Sequence, residues 1–183
     1  MTQLSDEELY RRMRKGDQLA FAELYTRREP GLYRYALHMS GSCPTAEEVT
    51  HEVFLRLIGP DAGFDERRGP LEAYLFGIAR NLIRITRREK SGGPGRDPPG
   101  ADDVLGGLIQ DEMTAALYAA LRQLPEPYRD AVVLCDLEER SYEDAARLMG
   151  CAVGTVRSRL HRARALLAAR LRPLTAPSAV GAR

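Results

Sequence analysis

Apolar residues recur every three or four positions through the first ninety residues of the chain, which is the spacing of amphipathic α-helices. Polar or Gly/Pro positions divide the pattern into four stripes. Their apolar members are Leu9, Met13, Leu19, Phe21 and Leu24; Leu32, Tyr35, Ala36 and Met39; Val49, Val53, Leu55 and Leu57; and Leu71, Leu75, Ile78, Leu82 and Ile85. The pattern predicts a small helical domain over residues 1–90.

Local signals predict where these helices begin and end. Ser5 and Thr45 each stand three positions before a glutamate, as in a capping box that starts a helix. Pro30, followed by glycine, predicts a break between the first two stripes, and Gly59, followed by proline, ends the third. Pro70 is well placed as the first residue of the fourth helix.

The last third of the chain is also patterned as helices. The first stripe comprises Met113, Leu117, Ala120, Leu121 and Leu124, and the next, which restarts at Pro127, comprises Ala131, Leu134 and Leu137. Ser141 as N-cap and Gly150 as the residue after the C-terminus enclose a short helix. A final helix over residues 153–172 is closed by Pro173. The prediction is a second helical domain over residues 111–173, followed by a disordered tail over 174–183.

The stretch between the two blocks has the composition of neither helix nor strand. Residues 91–107 contain six Gly and three Pro, which remove helical propensity and favour extended backbone. Three Asp stand there against the single Arg96, so the stretch is acidic. We therefore predict an all-α protein of two small domains, joined by a flexible Gly/Pro-rich linker over residues 91–110.

Composition restricts the function only slightly. The 183 residues carry a formal net charge of +1, so overall charge gives no indication of nucleic-acid binding. Cys43, Cys135 and Cys151 form no CxxC pair and have no histidine at a metal-ligand spacing, which favours reduced thiols, although a Cys135–Cys151 redox pair stays open. No apolar run approaches the roughly 18 residues of a membrane span, and the N-terminus is too acidic for a signal peptide. We expect a cytoplasmic protein without metal, cofactor or membrane contact.

Residues 141–167 have the form of a DNA-binding helix-turn-helix. The inward positions are Ala145, Ala146 and Leu148 or Met149 in the first helix, and Val153, Val156, Leu160, Ala163 and Leu167 in the second, with the turn at Gly150. The outward positions of the second helix are Thr155, Arg157, Ser158, Arg159, His161, Arg162 and Arg164. Residues 151–172 include six Arg and no acidic residue, whereas a merely solvated face normally mixes both signs. Because Arg bonds to phosphates and bidentately to guanine edges, we predict that this face binds DNA.

A second basic cluster lies at the end of the first domain. It comprises Arg80, Arg84, Arg87, Arg88 and Lys90, and only Glu89 opposes it. Its simplest interpretation is a helix C-terminus carrying cations that the helix dipole favours. Beside a helix-turn-helix, the cluster also indicates a second contact with nucleic acid.

Four segments carry a resemblance to a known family. The first is FAELY at residues 21–25 with LYRYA at 32–36, the second is AEEVTHEVFLRL at 46–57, and the third is FDERRG at 64–69 with IARNL at 78–82. The fourth and most specific joins LRQLPE at 121–126, SYEDAA at 141–146 and VGTVRSRLHRAR at 153–164. In order and spacing these segments resemble the extracytoplasmic-function (ECF) class of bacterial RNA polymerase sigma factors, from about residue 19 to residue 171 outside the linker.

The resemblance implies a transcription initiation factor that has no chemistry of its own and is not an enzyme. The first domain, similar to sigma region 2, would bind the clamp helices of core RNA polymerase and open the downstream promoter element. The second domain, similar to sigma region 4, would bind the flap and read the upstream promoter element. Core polymerase and promoter DNA are thus the implied partners, and an anti-sigma factor is a further partner that the resemblance allows.

The resemblance also assigns roles to individual residues. It assigns polymerase binding to Glu48, His51, Glu52, Leu55 and Arg56. Val49, Val53 and Leu57 of the same helix are interpreted as core residues. Binding of the downstream element falls to Phe64, Arg80, Asn81, Arg84, Arg87 and Arg88, and binding of the upstream element to Thr155, Arg157, Ser158, Arg159, His161 and Arg162. The loop over residues 59–69 matches a segment that captures an extruded base, so Phe64 either stacks on that base or anchors the loop to the core.

The chain departs from the family pattern at His51, Ile58, Tyr74 and Ile85. The family often has Gln at the first of these positions, Trp at the next two, and an acidic residue near the last. These departures concern polymerase docking and downstream recognition and leave the helix-turn-helix untouched.

Two other classes of protein compete with this hypothesis, besides a stand-alone helix-turn-helix regulator that would bind duplex DNA without polymerase. An enzyme is disfavoured because His38, His51 and His161 have no evident triad partners and the chain has no Gly-rich phosphate loop. A pure interaction adaptor leaves the arginine-rich face of the last helix unexplained.

Overall fold

The protein is a set of helices, seen in a computed structural model that describes residues 4–91 and 112–175. The helices are α1 (Asp6–Arg14), α2 (Gln18–Ser40), α3 (Cys43–Ile58), α4 (Leu71–Ser91), α5 (Glu112–Arg122), α6 (Glu126–Val132), α7 (Tyr142–Met149) and α8 (Val153–Thr175). A 3-10 turn (Glu66–Arg68) precedes α4, and a π-helical turn (Val133–Leu137) extends α6. The described ranges contain no strand, and the all-α class with two helical domains is confirmed. The predicted linker and tail lie almost entirely outside the described residues.

Helix α2 runs without a break through Pro30, so the interruption predicted there was wrong. Proline removes one backbone hydrogen bond and crowds the preceding turn. Leu24 lies before Pro30 and Leu32 and Tyr35 after it, and all three side chains are almost completely buried in one core. Tertiary packing on both sides of the proline therefore outweighs its local cost.

The N-terminus of α3 also differs from the prediction. The helix begins at Cys43 with Ser42 as its N-cap, and the Ser42 hydroxyl accepts a hydrogen bond from the Thr45 N–H at 3.4 Å. Thr45 is buried inside the first turn rather than capping it. At α1 the predicted cap is confirmed, because the Ser5 hydroxyl accepts from the Glu8 N–H at 3.2 Å.

The first core lies between α1, α2, α3 and α4, and it takes partly different residues from those predicted. In α4 the buried apolar residues are Leu71, Leu75, Phe76, Ala79 and Ile83. Leu19 and Ile85 were assigned to the apolar stripes but are exposed. Helical spacing alone cannot separate neighbouring positions at the edge of a stripe, so these two were misassigned. Leu55 is exposed too, in agreement with its assignment to the polymerase-binding face rather than to the core.

The second core is formed by α5, α6 and α8. Its buried members are Ala120, Leu121, Leu124, Ala131, Val132, Leu160, Ala163 and Leu167. Helix α8 continues through Pro173 to Thr175 instead of ending at residue 172 as predicted. A proline so close to the C-terminus of a helix disturbs little, because few backbone hydrogen bonds remain beyond it.

The two domains pack against each other. Helix α7 lies against α4, and the π-helical turn lies against α2. Apolar side chains of the second domain join the first core at this contact; they are Val133, Leu134, Ala145, Ala146, Leu148 and Val156. The packing brings the helix-turn-helix next to the loop over residues 59–69, which sequence reasoning treated as belonging to a separate domain.

Candidate nucleic-acid and polymerase interfaces

The helix-turn-helix has the predicted capping and turn. The Ser141 hydroxyl accepts a hydrogen bond from the Asp144 N–H at 3.0 Å and so caps α7. Gly150 follows α7 in the left-handed conformation, with φ +63°, and α8 begins three residues later. This conformation favours glycine, because other residues place Cβ close to the following carbonyl.

Gly150→Ala is expected to lower the free energy of unfolding by about 1 kcal/mol, because alanine resists positive φ. No heavy atom lies within 4 Å of the added Cβ, so backbone strain is the whole effect. Gly154→Ala is the matched control, since its Cβ also meets nothing within 4 Å but the position is helical. The control should leave stability unchanged or raise it. Urea denaturation measures both, and an equal effect at the two positions would contradict the argument.

Helix α8 turns one apolar and one basic face in the predicted directions. Val156, Leu160, Ala163 and Leu167 are buried, and Arg157, Ser158, His161 and Arg162 are exposed, while Thr155 and Arg159 are half-buried. The Arg157 guanidinium lies over the Tyr142 ring, 5.7 Å from its centroid. An Arg159 nitrogen lies 3.9 Å from the Cys151 sulfur. Helix α7 and the turn thus support the arginines at the start of α8.

One arginine of α8 is neutralised by a residue from elsewhere in the chain. Arg164 forms two hydrogen bonds with the Asp136 carboxylate, at 2.6 and 3.1 Å. Asp136 lies in the π-helical turn, outside the acid-free stretch on which the sequence argument relied. The basic surface that no carboxylate neutralises therefore lies at the N-terminal end of α8. It is narrower than the number of arginines in the helix suggested.

The basic residues of α4 are split between two directions. Arg84 donates a hydrogen bond to the Asn81 side-chain oxygen at 2.6 Å, and both Arg84 and Arg88 are exposed. Arg87 is half-buried. Positions 81, 84 and 88 share one side of the helix, as spacings of three and four residues require. This side is the surface of α4 that is open to a nucleic acid.

Arg80 points away from that surface and into the contact between the domains. Its Nε donates to the Asp130 carboxylate at 2.8 Å, and its Nη2 donates to the Leu148 carbonyl at 3.0 Å. The Tyr35 hydroxyl donates to the other Asp130 oxygen at 2.8 Å. Burial, together with the Asp130 charge, raises the pKa of Tyr35 well above its ordinary value, so this hydroxyl keeps its proton. The structure therefore separates Arg80 from Asn81, Arg84 and Arg88.

Phe64 anchors the loop over residues 59–69. Its ring packs edge-on against Tyr10, with the centroids 5.1 Å apart, and lies 5.6 Å from the Tyr74 ring. The Gly63 N–H donates to the Tyr74 hydroxyl at 3.0 Å. Of the two roles left open for Phe64, this arrangement is the anchoring one. A cleft of about 450 Å³ lies beside the loop, between it and the end of α7.

The predicted polymerase-binding residues form one outward face of α3. Glu48, His51, Leu55 and Arg56 are exposed, Glu52 is half-buried, and the Arg56 Nε donates to a Glu52 oxygen at 2.8 Å. Val49, Val53 and Leu57 are buried, as their interpretation as core residues requires. Exposed Tyr25 and Ile58 add apolar surface from α2 and α3.

Several polar residues at the contact between the domains gave no signal in the sequence. Glu138 accepts from Arg34 at 3.0 Å and lies 3.4 Å from His38 Nε2, while His38 Nδ1 lies 2.9 Å from the Tyr118 hydroxyl. Burial lowers the pKa of His38, and the nearby Glu138 charge opposes that shift. Such residues become recognisable only once the two domains are seen together, because their partners lie up to about a hundred positions away.

The three cysteines, Cys43, Cys135 and Cys151, are free thiols and half-buried, and burial raises the pKa of Cys135. Residues 4–91 and 112–175 hold no group of three His, Cys, Asp or Glu side chains arranged for a metal ion. Within those same ranges, each helix is too short or too polar to span a bilayer.

Two family models match the chain in the order of its domains. The model of Sigma-70 region 2 matches residues 24–92, and the model of Sigma-70, region 4 matches residues 114–167. The ECF RNA polymerase sigma factor EcfG of Rhodopseudomonas palustris is 36% identical over 149 residues, which cover 78% of this chain and 80% of that protein. This chain belongs to the extracytoplasmic-function family of RNA polymerase sigma factors.

Other relatives match this sigma factor over nearly its whole length. The RNA polymerase sigma-H factor of Pseudomonas aeruginosa is 31% identical, over 95% of this chain and 97% of that protein. The ECF RNA polymerase sigma-E factor of Escherichia coli K12 is 32% identical, over 94% of this chain and 97% of that protein. Such factors give promoter specificity to RNA polymerase and are not enzymes, so the sigma-factor hypothesis holds over a stand-alone regulator.

Solved structures of similar sigma factors share the fold. The sigma factor RpoE from Bartonella quintana, in complex with the anti-sigma factor NepR, has a TM-score of 0.61 and 27% identity, over 83% of this chain and 96% of that one. CnrH, in complex with the cytosolic domain of CnrY, has a TM-score of 0.69 and 27% identity, over 92% of this chain and 97% of that one.

Proposed function

We propose that this sigma factor divides promoter recognition between its domains as follows. Residues 1–90 bind core polymerase through α3 and engage the downstream element through α4 and the loop beside it. Residues 111–173 read the upstream element through α8. The observation that carries the proposal is the basic face on the N-terminal half of α8, where Arg157 and Arg162 are exposed and the Arg157 guanidinium lies over the Tyr142 ring of α7.

Run-off transcription tests this proposal. A bacterial core polymerase free of sigma factor is incubated with a library of promoters, with and without this protein. Specific initiation that requires the protein is the expected result. Tight duplex binding by the protein alone, without any initiation, would instead indicate a stand-alone regulator.

The proposed polymerase-binding face combines apolar and charged side chains. Leu55 is 45% exposed and Ile58 47% exposed, and Glu48, His51 and Arg56 are exposed on the same helix. An exposed apolar centre with a charged rim is typical of a protein-binding surface. Residues buried at the centre of such surfaces contribute most of the affinity.

Leu55→Asp is expected to weaken binding to core polymerase by about tenfold or more, because a charge would be buried in an apolar contact. Titration of labelled protein with core polymerase in the absence of DNA measures the affinity. Ile85→Asp is the matched control, since Ile85 is 39% exposed but lies on α4. Equal losses for the two variants would show that α3 is not the docking face.

Two further assignments rest on the relatives. In the solved complexes RpoE is bound to the anti-sigma factor NepR and CnrH is bound to the cytosolic domain of CnrY, and we assign this chain an anti-sigma partner. Its place of action is then the cytoplasm, where polymerase and promoters are found. The anti-sigma assignment is tested by purifying the tagged chain from its own cells and identifying the proteins that remain bound to it.

A further inference from the structure

Helix α1 contacts the loop over residues 59–69, and the residues that flank it, from one of its faces. Four side chains make the contacts, and we call them the loop-facing residues: Glu7, Tyr10, Arg11 and Arg14. Spacings of three and four residues place them on the same side of the helix. The match to the Sigma-70 region 2 model begins at residue 24, so none of the four lies within that match.

The start of the loop is bound by Arg14. Its Nη1 donates to the Gly59 carbonyl at 2.7 Å and, over a longer distance of 3.4 Å, to the Ile58 carbonyl. Ile58 is the last residue of α3 and Gly59 is its C-cap, and carbonyls at the end of a helix have no partner within it. The guanidinium also places a positive charge at the negative end of the α3 dipole. Arg14 therefore fixes the point at which the chain leaves α3.

The end of the loop is bound by Glu7. Its carboxylate accepts a hydrogen bond from the Leu71 N–H at 3.0 Å, at the residue where α4 begins. The first N–H groups of a helix have no partner within it, and the helix dipole stabilises an anion beside them. Helix α1 thus caps α4 from a position 64 residues earlier in the chain.

The middle of the loop is bound by the other two loop-facing residues. The Tyr10 ring is 8% exposed and packs edge-on against the Phe64 ring. The Arg11 Nε lies 3.1 Å from a Glu66 oxygen. The Arg11–Glu66 pair lies at the surface, so it contributes little to stability by itself. Together with Arg14 and Glu7, these contacts attach the loop to one helix at both ends and in the middle.

Helix α1 is itself fixed to the rest of the first domain. Asp6 is 6% exposed and accepts hydrogen bonds from Arg28 and, at 2.8 Å, from Arg27. Both arginines belong to α2. Leu9 is buried in the first core. None of these contacts involves the loop, so α1 supports the loop independently of what the loop binds.

The loop turns cationic side chains outward. Arg67 and Arg68 lie in the 3-10 turn and are exposed, and the Asp65 carboxylate holds Arg67 at 3.0 Å. Guanidinium groups bind phosphate oxygens strongly. A loop that already has its binding conformation loses less conformational entropy when it binds, so its affinity is higher. Contacts that fix the loop therefore act on nucleic-acid binding without touching the nucleic acid.

We propose that α1 is a positioning element for base capture, in which the loop-facing residues hold the loop in the conformation that receives an extruded base of the downstream element. The proposal rests on the proposed role of the loop and deepens it. It assigns a positioning role to four residues outside the loop and outside the basic cluster of α4.

Arg14→Met tests the proposal in the holoenzyme, which is core polymerase bound to this protein. The probes are two fluorescent single strands from a promoter selected by run-off transcription. One is intact, and the other has an abasic site at the base whose removal weakens wild-type binding most. Arg14→Met should bind the intact strand about tenfold more weakly and the abasic strand nearly as well as the wild type does, because an unsupported loop no longer favours the captured base. A smaller fraction of folded protein would instead lower both affinities by the same factor.

Arg12→Met is the matched control. It removes the same charge from the same helix, but Arg12 pairs with Glu8 within α1, at 3.6 Å. Both affinities should stay at the wild-type level. Arg14→Lys keeps a charged donor for the Gly59 carbonyl and should restore most of the preference for the intact strand.

Glu7 provides a second test at the other end of the loop. Glu7→Ala removes the acceptor of the Leu71 N–H and should also reduce the preference for the intact strand. Glu7→Gln keeps an oxygen that accepts from this N–H, so the preference should largely return.

An unchanged preference for the intact strand in both Arg14→Met and Glu7→Ala would overturn the proposal. An equal loss of preference in Arg12→Met would overturn it as well, because charge rather than attachment of the loop would then decide. Weaker binding of both strands by one factor would reduce α1 to a stabilising role. Failure of the proposed function appears instead in the wild type, as a holoenzyme that binds the two strands equally or starts no transcription.

Discussion

Arg129→Met is expected to lower the free energy of unfolding by about 3–5 kcal/mol, since it leaves several buried carbonyls without a partner. Arg129 is 1% exposed. Its Nε donates to the Leu121 carbonyl at 2.8 Å, its Nη2 to the carbonyls of Leu124, at 3.0 Å, and Arg122, and its Nη1 to the Met39 carbonyl at 3.0 Å. The methionine side chain retains the apolar stem but no donor.

The carbonyls explain why the position requires arginine. Helix α5 ends at Arg122, and the last carbonyls of a helix have no partner within it. The guanidinium satisfies several of them at once and places a positive charge at the negative end of the helix dipole. Three of the four carbonyls belong to the second domain, so most of the effect persists when the domains separate.

Chemical denaturation followed by circular dichroism measures the loss in Arg129→Met. Arg129→Lys keeps the charge but concentrates its donors on one nitrogen, so an intermediate loss is expected. Arg147→Met is the control, because Arg147 is largely exposed and its ion pair with Asp144 spans a single turn of α7. Its effect should stay within about 0.5 kcal/mol. A loss below about 1 kcal/mol in Arg129→Met would mean that water replaces the guanidinium at these carbonyls.

The helices themselves could be predicted because their signals are local. Ser141 caps α7 through a hydrogen bond that spans three residues, and Gly150 ends it in a conformation that its own backbone favours. The inward face of α8 follows from helical spacing alone. Where the prediction failed, as at Pro30, residues distant along the chain decided the outcome by packing on both sides.

The arrangement of the site could be predicted only in part, because charge pairs across the chain leave no trace in a sequence pattern. Arg80 was grouped with Asn81 and Arg84 by position, but its partner Asp130 is fifty residues away. Arg164 was counted with an acid-free face, yet Asp136 neutralises it from the π-helical turn. A list of basic residues thus overestimates a binding surface until the long-range acceptors are known.

The narrower surface makes the arginines at the start of α8 the decisive ones. Arg157 and Arg159 flank Ser158 in the first two turns of the helix, near its positive end, which is the part of a recognition helix that contacts base edges. Neither pairs with a carboxylate in the described structure, in contrast to Arg164. Both guanidinium groups therefore stay available for guanine edges or phosphates.

Arg157→Ala combined with Arg159→Ala is expected to reduce promoter-specific run-off transcription by at least about 25-fold, if each arginine contributes about 1 kcal/mol of upstream binding or more. Arg170→Ala combined with Arg172→Ala removes the same charge from the far end of α8, about 20 Å along the axis, and should cost little. Binding of core polymerase in the absence of DNA should be normal in both double variants. Equal loss of transcription in the two double variants would mean that α8 contributes only general attraction to the DNA backbone. A helix face that recognises bases loses binding when particular arginines are removed, not with any equal loss of charge.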